Sequence, residues 1–431
     1  MKAPDLLKEK GIRIALVFIV LVILSGLYIA PHINNKKYIA VDFPSFYYAA
    51  KLAFENDLSP YNNSSWKLVE PLYTDGKLFP FLYPPPSLLL FRPFLLFNYP
   101  HAKTLMLWSN HVLILVVLYL FFRKILDSTW DNLYLIPAIA YLYLFYPLSE
   151  NLSNGQVGLW ILTSICLTWL ATKERWHPFW VALPLVFGIV LKLYPILFLL
   201  VYLFRKEYRV IIYAAVLLAM ISAFATVALP GEVWQDWYES VLSNGYGREV
   251  GDVESATPAN QSINAFITRL FYGRNVRFEN LLNPPPWAAL TPYILSSFVI
   301  AVSFVAAWWV SRKGMNSPES LSIQFCLWIL VMFLIAPFSW GHHLVHVLPP
   351  IYLSVLYAFK KRSIILTAAT GAIAIFLAYP FPSNDPFFRR GIWTVLISSQ
   401  LFAIGFLWLI YVYLCFATPR LRLKTIATIK Q

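Results

Sequence analysis

Few side chains in this 431-residue chain can do acid–base or anion chemistry, and those that can stand at the ends of long apolar runs. Asp42 follows the first such run, inside Val41-Asp-Phe-Pro-Ser-Phe-Tyr-Tyr48. As a carboxylate it could take a proton from an attacking hydroxyl if its surroundings make it basic enough. An Asp followed by Phe43 and Pro44 is equally the opening of a helix, with Asp as N-cap. Ser339-Trp340-Gly-His342-His343 follows Pro337 near the end of a later run, with His346 one helical turn beyond. Adjacent imidazoles there could grip a phosphate; a metal would need a further ligand, and Asp42 is the only obvious candidate, so no metal is expected.

Carboxamides recur at the same kind of place. Asn154-Gly-Gln156 and Asn260-Gln261-Ser262 each offer a donor and an acceptor together, which suits sugar hydroxyls and also suits turns and caps. Phe79-Pro-Phe-Leu-Tyr83-Pro-Pro-Pro-Ser87 must be extended through its prolines, with a helix able to open at Ser87. Tyr83 would then form a wall for a sugar or an isoprenoid chain, or belong to a rigid connector. Arg248, Arg269, Arg274 and Arg277 are candidate partners for a lipid phosphate, the last two through head-group contact alone. Lys192-Leu-Tyr194-Pro195 puts a charge beside a proline inside an apolar stretch.

The elements that must position these groups are membrane helices. The chain is 59% hydrophobic, 17% aromatic and 13% charged, with a mean hydropathy of +0.62. That composition is an integral membrane protein. Its net charge of +13 is not a nucleic-acid surface, because Lys and Arg sit in short clusters between apolar runs. Candidate spans run over 14–30, 105–122, 133–148, 155–171, 210–229, 287–310, 321–336, 344–359, 364–379 and 392–416. If the basic clusters are cytoplasmic, both termini are inside and the spans alternate, provided the run 178–204 enters and leaves on one side. That run is therefore expected to be a hairpin of two short helices, or a kinked segment, broken near Lys192. The first run is read as a retained signal anchor. Cys166, Cys326 and Cys415 lie inside apolar runs and imply neither disulfide nor metal.

This topology leaves two long outer segments, 31–101 and 230–286, within a single transmembrane domain covering 1–431. Stretches such as 43–54 could form amphipathic helices in the interface.

The ordered set of Asp42, Asp57-Leu-Ser-Pro-Tyr61, Tyr83-Pro-Pro, Asn154-Gly-Gln156, Gly188 with Lys192-Leu-Tyr-Pro195, Asn260-Gln-Ser262 and Ser339-Trp-Gly-His-His343 resembles glycosyltransferase family 87. These are polyprenol-phosphate-mannose-dependent mannosyltransferases with the membrane GT-C fold. The resemblance implies sugar transfer, with inversion, from a lipid monophosphate to an acceptor hydroxyl of a glycolipid or glycan on the extracytoplasmic face, without a cofactor. It further implies that Asp42 is the general base, that His342 or His343 contacts the donor phosphate, and that Lys192 matches a lysine on a broken helix. A related arabinofuranosyltransferase and a lipid-sugar flippase are the alternatives. A flippase would keep working without Asp42.

Overall fold

In a computed structural model the described residues are 9–34, 41–73, 76, 78–243, 257–272, 283–313, 317–380, 385–389 and 391–417. Among them secondary structure is helical apart from one isolated bridge between Asn260 and Trp340. Five helical stretches, 10–30, 99–125, 208–228, 288–312 and 392–417, are long and apolar enough to cross a membrane, and a sixth span is possible if a bent pair counts as one. The chain is an all-α polytopic membrane protein.

The helices used below are α1 (Lys10–Asn34), α2 (Phe43–Glu55), α3 (Tyr99–Leu118), α4 (Leu135–Leu144), α5 (Tyr146–Ser153), α6 (Gly158–Lys173), α7 (Pro178–Leu191), α8 (Leu199–Phe204), α9 (Tyr208–Ala228), α10 (Ile263–Phe271), α11 (Thr291–Lys313), α12 (Pro318–Leu334), α13 (Leu348–Lys361), α14 (Ile364–Ala378) and α15 (Ser399–Ala417). Several expected spans are assembled from shorter pieces. The stretch 133–148 breaks at Phe145, before Pro147 opens α5. The stretch 344–359 begins as a tight 3-10 segment over Gly341–Val347, and α13 follows with prolines in its first turn. In each case a proline withholds the backbone donor that a continuous helix would need.

The centre of the bundle is α12, whose residues are buried from Leu327 to Leu334 without interruption. A helix apolar on every side has to be enclosed by others. Here α6, α11, α13 and α15 surround it, with Trp169 of α6 stacked on Phe325 at a centroid distance of 5.1 Å. The thiols of Cys166, Cys326 and Cys415 are buried and free.

The run 178–204 is a hairpin. Its two ends meet the same end of the bundle: His177 and Phe179 contact Tyr213 near the start of α9, and Tyr202 shares a 2.7 Å hydrogen bond with Thr172 near the end of α6. Its middle lies at the opposite end, where Lys192 reaches Tyr83 and His343. The helix stops because Lys192 is extended, at φ −149° and ψ 140°, with Pro195 three residues on. Gly188 keeps the return leg close. A Cβ there would sit 2.5 Å from Ser164 Oγ and 3.6 Å from the Pro195 ring.

Basic clusters gather at the end away from Lys192. Lys173 Nζ donates to Asp127 at 2.6 Å and to the Lys124 carbonyl at 2.6 Å, and Arg13 pairs with Asp131 at 3.3 Å in the same inter-helix loop. At the other end α2 does not lie flat in an interface with one wet face. Ten of its residues are buried, and Phe46 stacks on Phe91 at 4.7 Å while Tyr48 stacks on Tyr99 at 5.6 Å. Aromatic residues on every face of the helix make it a wedge clamped by the segment 81–99.

Candidate active site

Asp42 does occupy the N-cap position of α2, with Pro44 in the first turn, yet its side chain makes no capping bond. The loop is held by backbone alone: the amides of Asp42 and Phe43 both donate to the Asn154 carbonyl, at 2.9 and 3.2 Å. The carboxylate is thereby turned away from the helix end. Its Oδ2 accepts a 2.7 Å bond from Gln156 Nε2. Among the described residues nothing donates to Oδ1, and the side chain is half-buried. Asp42 is thus a rigidly placed acid with one oxygen still available.

From Gln156 the network continues. Tyr83 Oη donates to Gln156 Oε1 at 2.9 Å, and the Gln156 carbonyl accepts from Asn110 Nδ2 at 3.2 Å. Tyr61 Oη donates to the Tyr83 carbonyl at 2.6 Å, so the polyproline stretch is fixed from the chain that precedes it. Lys192 Nζ lies 4.9 Å from the centroid of the Tyr83 ring, a cation over an aromatic face. The same ammonium is 2.6 Å from His343 Nε2. With Lys192 as donor, His343 accepts on Nε2 and carries its proton on Nδ1.

His342 and His343 are edge to face, 4.5 Å apart. Asn154 Nδ2 lies 3.4 Å from His342 Nδ1, and Asn151 Nδ2 donates to the His342 carbonyl at 3.4 Å. Tyr194 packs its ring against His343 and His346, at 6.3 and 5.7 Å. Burial first, and then the Lys192 ammonium, hold both His342 and His343 well below the ordinary imidazole range. At neutral pH they are uncharged donors and acceptors; burial also pulls Lys192 down to about 7, against the opposing pull of Asp42, so it is the amine here that an arriving anion would hold protonated. They hold no group of three His, Cys, Asp or Glu side chains spaced for a metal.

The structure therefore brings Asp42, Tyr83, Asn154, Gln156, Lys192, Tyr194, His342 and His343 into one polar cluster from five separate stretches of chain. Three other expected residues are used differently. Asn260 Oδ1 accepts from the amides of Ser262 and Ser339, both at 3.1 Å, and Gln261 Nε2 donates to the carbonyls of Pro258 and Ile397 at 2.7 and 2.8 Å. The Asn260 carboxamide ties the loop 257–262 to the loop that presents His342, and the Gln261 carboxamide ties it to the segment that carries Ile397. Arg269 is buried in α10, giving Nη1 to the Thr257 and Asn260 carbonyls at 2.9 and 3.0 Å and Nη2 to Ser398 Oγ at 2.8 Å. The reason is geometric: about two helical turns from a buried loop, a long guanidinium side chain reaches back to satisfy several of its carbonyls at once. Trp340 stacks on Phe338 at 5.9 Å beside the Asn260 bridge. Arg248, Arg274 and Arg277 lie outside the described residues.

Arg269→Met should consequently lower stability by about 3 kcal/mol, because it orphans buried acceptors, while leaving the KM of folded protein for any lipid phosphate within about twofold. Thermal unfolding of the purified variant beside its kinetics checks this, and a raised KM with unchanged unfolding would restore the phosphate reading.

Glu150, Asn151 and Gly341 belong to the same neighbourhood, and of these the sequence patterns passed over Glu150. Glu150 interrupts an apolar stretch with no basic neighbour in sequence, which was a usable signal.

An all-helical polytopic membrane protein with a braced carboxylate, a cation and neutral imidazoles gathered at one end of its bundle has the make-up of a membrane-embedded group-transfer enzyme. A family model described as glycosyltransferase family 87 matches residues 81–337, more than half of the chain, and the chain belongs to that family. Two relatives are described as polyprenol-phosphate-mannose-dependent alpha-(1-2)-phosphatidylinositol mannoside mannosyltransferases. The one from Mycolicibacterium smegmatis is 25% identical over 342 residues, covering 72% of this chain and 71% of its own. The one from Mycobacterium tuberculosis is 25% identical over 368 residues, covering 80% and 79%.

Proposed function

We propose that this glycosyltransferase moves a mannosyl residue from a polyprenyl-phosphate carrier to a hydroxyl of a glycolipid or cell-envelope glycan, with inversion, on the extracytoplasmic face. One observation carries the reading: a single chain of contacts joins a carboxylate with a free oxygen to a cation. Asp42 is held by Gln156, Gln156 by Tyr83, and the Tyr83 ring lies under Lys192. The reaction needs those two charges. As the acceptor oxygen bonds to the anomeric carbon, its proton passes to Asp42, and the carbon's bond to the phosphate oxygen breaks with both electrons going to the phosphate. A base on one side of the sugar and a cation on the other is the arrangement inversion requires.

Sidedness follows the positive-inside rule. The end carrying Arg13, Lys124, Lys173 and Arg205 is cytoplasmic, both termini are cytoplasmic, and the Asp42 end is outside. The mannosyl donor and the phosphatidylinositol mannoside acceptor are taken from the names of the two relatives.

Purified protein in nanodiscs, given labelled polyprenyl-phosphate-mannose and phosphatidylinositol mannosides, should release polyprenyl phosphate and label the acceptor. Consumption of polyprenyl-phospho-arabinose in place of the mannose donor would overturn the sugar, and no turnover of either would overturn the reading.

The acid limb of kcat/KM should lie above the ordinary carboxylate range. Burial pushes the Asp42 pKa up, and the Gln156 bond and then Lys192 pull it part of the way back. A base works only when deprotonated, so activity falls as pH drops through this raised value. Gln156→Leu removes a donor to the carboxylate and should move the limb to still higher pH. A limb unmoved by that variant would contradict Asp42 as the titrating group.

A further inference from the structure

The cluster contains a second carboxylate that its neighbours leave unsatisfied. Glu150 sits on α5, one helical turn before Asn154, whose carbonyl holds the Asp42 loop and whose side chain faces His342. The next residue, Asn151, donates to the His342 carbonyl. Because α5 lies at 117° to α6, this turn crosses the end of the bundle at the level of the cluster. The Glu150 carboxylate is pressed against the backbone at Gly341: a Cβ there would lie 2.5 Å from Oε2, 3.4 Å from Cδ and 3.6 Å from Oε1.

Ordinary structural reasons for an acid do not apply. Glu150 is the fifth residue of α5, beyond the first turn where a carboxylate would favour the helix dipole. Among the described residues no cation pairs with it and no donor bonds to its side chain, and Asp42 is close enough to repel it. A half-buried carboxylate in that position costs stability unless something supplies donors. Two carboxylate oxygens side by side accept two hydrogens from adjacent hydroxyls, the pairing a sugar diol provides.

We propose that Glu150, backed by Gly341, is a substrate-contacting residue that binds a pair of neighbouring sugar hydroxyls beside Asp42. This rests on the glycosyltransfer reading above. Gly341 acts by being small: it lies outside the left-handed backbone region, so adding a methyl strains no backbone torsion and instead displaces the Glu150 carboxyl group while leaving the residue itself unchanged. The diol belongs either to the transferred sugar or to the acceptor sugar.

The test measures KM for donor and acceptor separately in wild type, Glu150→Gln, Gly341→Ala and the double variant. Each single variant should raise KM for the same substrate about tenfold or more, the scale of a lost hydrogen bond to a charged group. The double variant should be no worse than Glu150→Gln alone, because both act on one contact. A raised donor KM assigns the diol to the transferred sugar, and a raised acceptor KM to the acceptor. Wild-type KM for both substrates in either single variant, or additive losses in the double, would overturn the proposal. If Glu150→Gln fails to fold, Gly341→Ala alone decides it. Should wild type transfer no sugar at all, the glycosyltransfer reading fails. If wild type turns over and only Asp42→Asn is impaired, this inference alone fails.

Discussion

Asp42→Asn is expected to lower kcat about a hundred- to ten-thousand-fold with donor KM nearly unchanged, the range typical of a lost general base. The substitution is close to isosteric and can keep the bond to Gln156 by turning its carbonyl oxygen toward Nε2. The loop is anchored by the Asp42 and Phe43 amides on the Asn154 carbonyl, and these do not depend on the side chain. Folding should therefore survive, and the deficit can be read as chemistry. Single-turnover release of label from polyprenyl-phosphate-mannose is the measurement. Turnover equal to wild type would remove Asp42 from the base role and favour a carrier that moves lipid-linked sugar without breaking the bond.

Lys192→Met should be the other severe loss, about a hundred- to a thousandfold in kcat, as expected when a preorganised charge facing a developing anion is removed. Methionine keeps the length of the side chain and its packing on Tyr83, but no charge. The neighbouring imidazoles are poor replacements, because burial, the larger cause of their lowered pKa, persists when Lys192 is removed. Arginine should rescue poorly, since a planar fork does not fit where a compact ammonium meets His343 Nε2 at 2.6 Å. A Lys192→Met enzyme with normal kcat would mean that another group meets the phosphate. The two variants also separate roles: loss of Asp42 should flatten the acid limb of the pH profile, whereas loss of Lys192 should leave one in place.

The hairpin shows why the second of these residues was hard to judge from sequence. Charge counting required 178–204 to return to the side it came from, but it gave no depth for Lys192, and a hairpin kept near the inner face would have left the lysine far from Asp42. Packing against α6 and α9, with Gly188 clearing Ser164 and Pro195, carries the tip across to Tyr83. Reach of this kind depends on close contact between elements, which local pattern does not encode.

Asp42 itself was an open choice between cap and base. Residue type and the following Pro44 could say that a helix begins there, and it does. Whether the carboxylate caps that helix or leaves it depends on Gln156, more than a hundred residues away in sequence. The same separation of type from use governs Asn260, Gln261 and Arg269: polar residues suited to a sugar or a phosphate are equally suited to buried carbonyls, and the nearby loops claimed them. Glu150 is the converse case, an acid whose interest lies in having no partner among the described residues, which can be judged only once its neighbours are placed.

By itself the sequence determined the membrane class, the helical build, the broken run at Lys192 and the residues able to act as base or phosphate partner, because apolar run length and charge placement answer directly to the bilayer. The tertiary structure decided which of those residues share a site. Hydrogen bonds and desolvation act over a few ångströms between stretches remote in the chain, and only packing brings Asp42, Gln156, Tyr83, Lys192 and His343 within that distance.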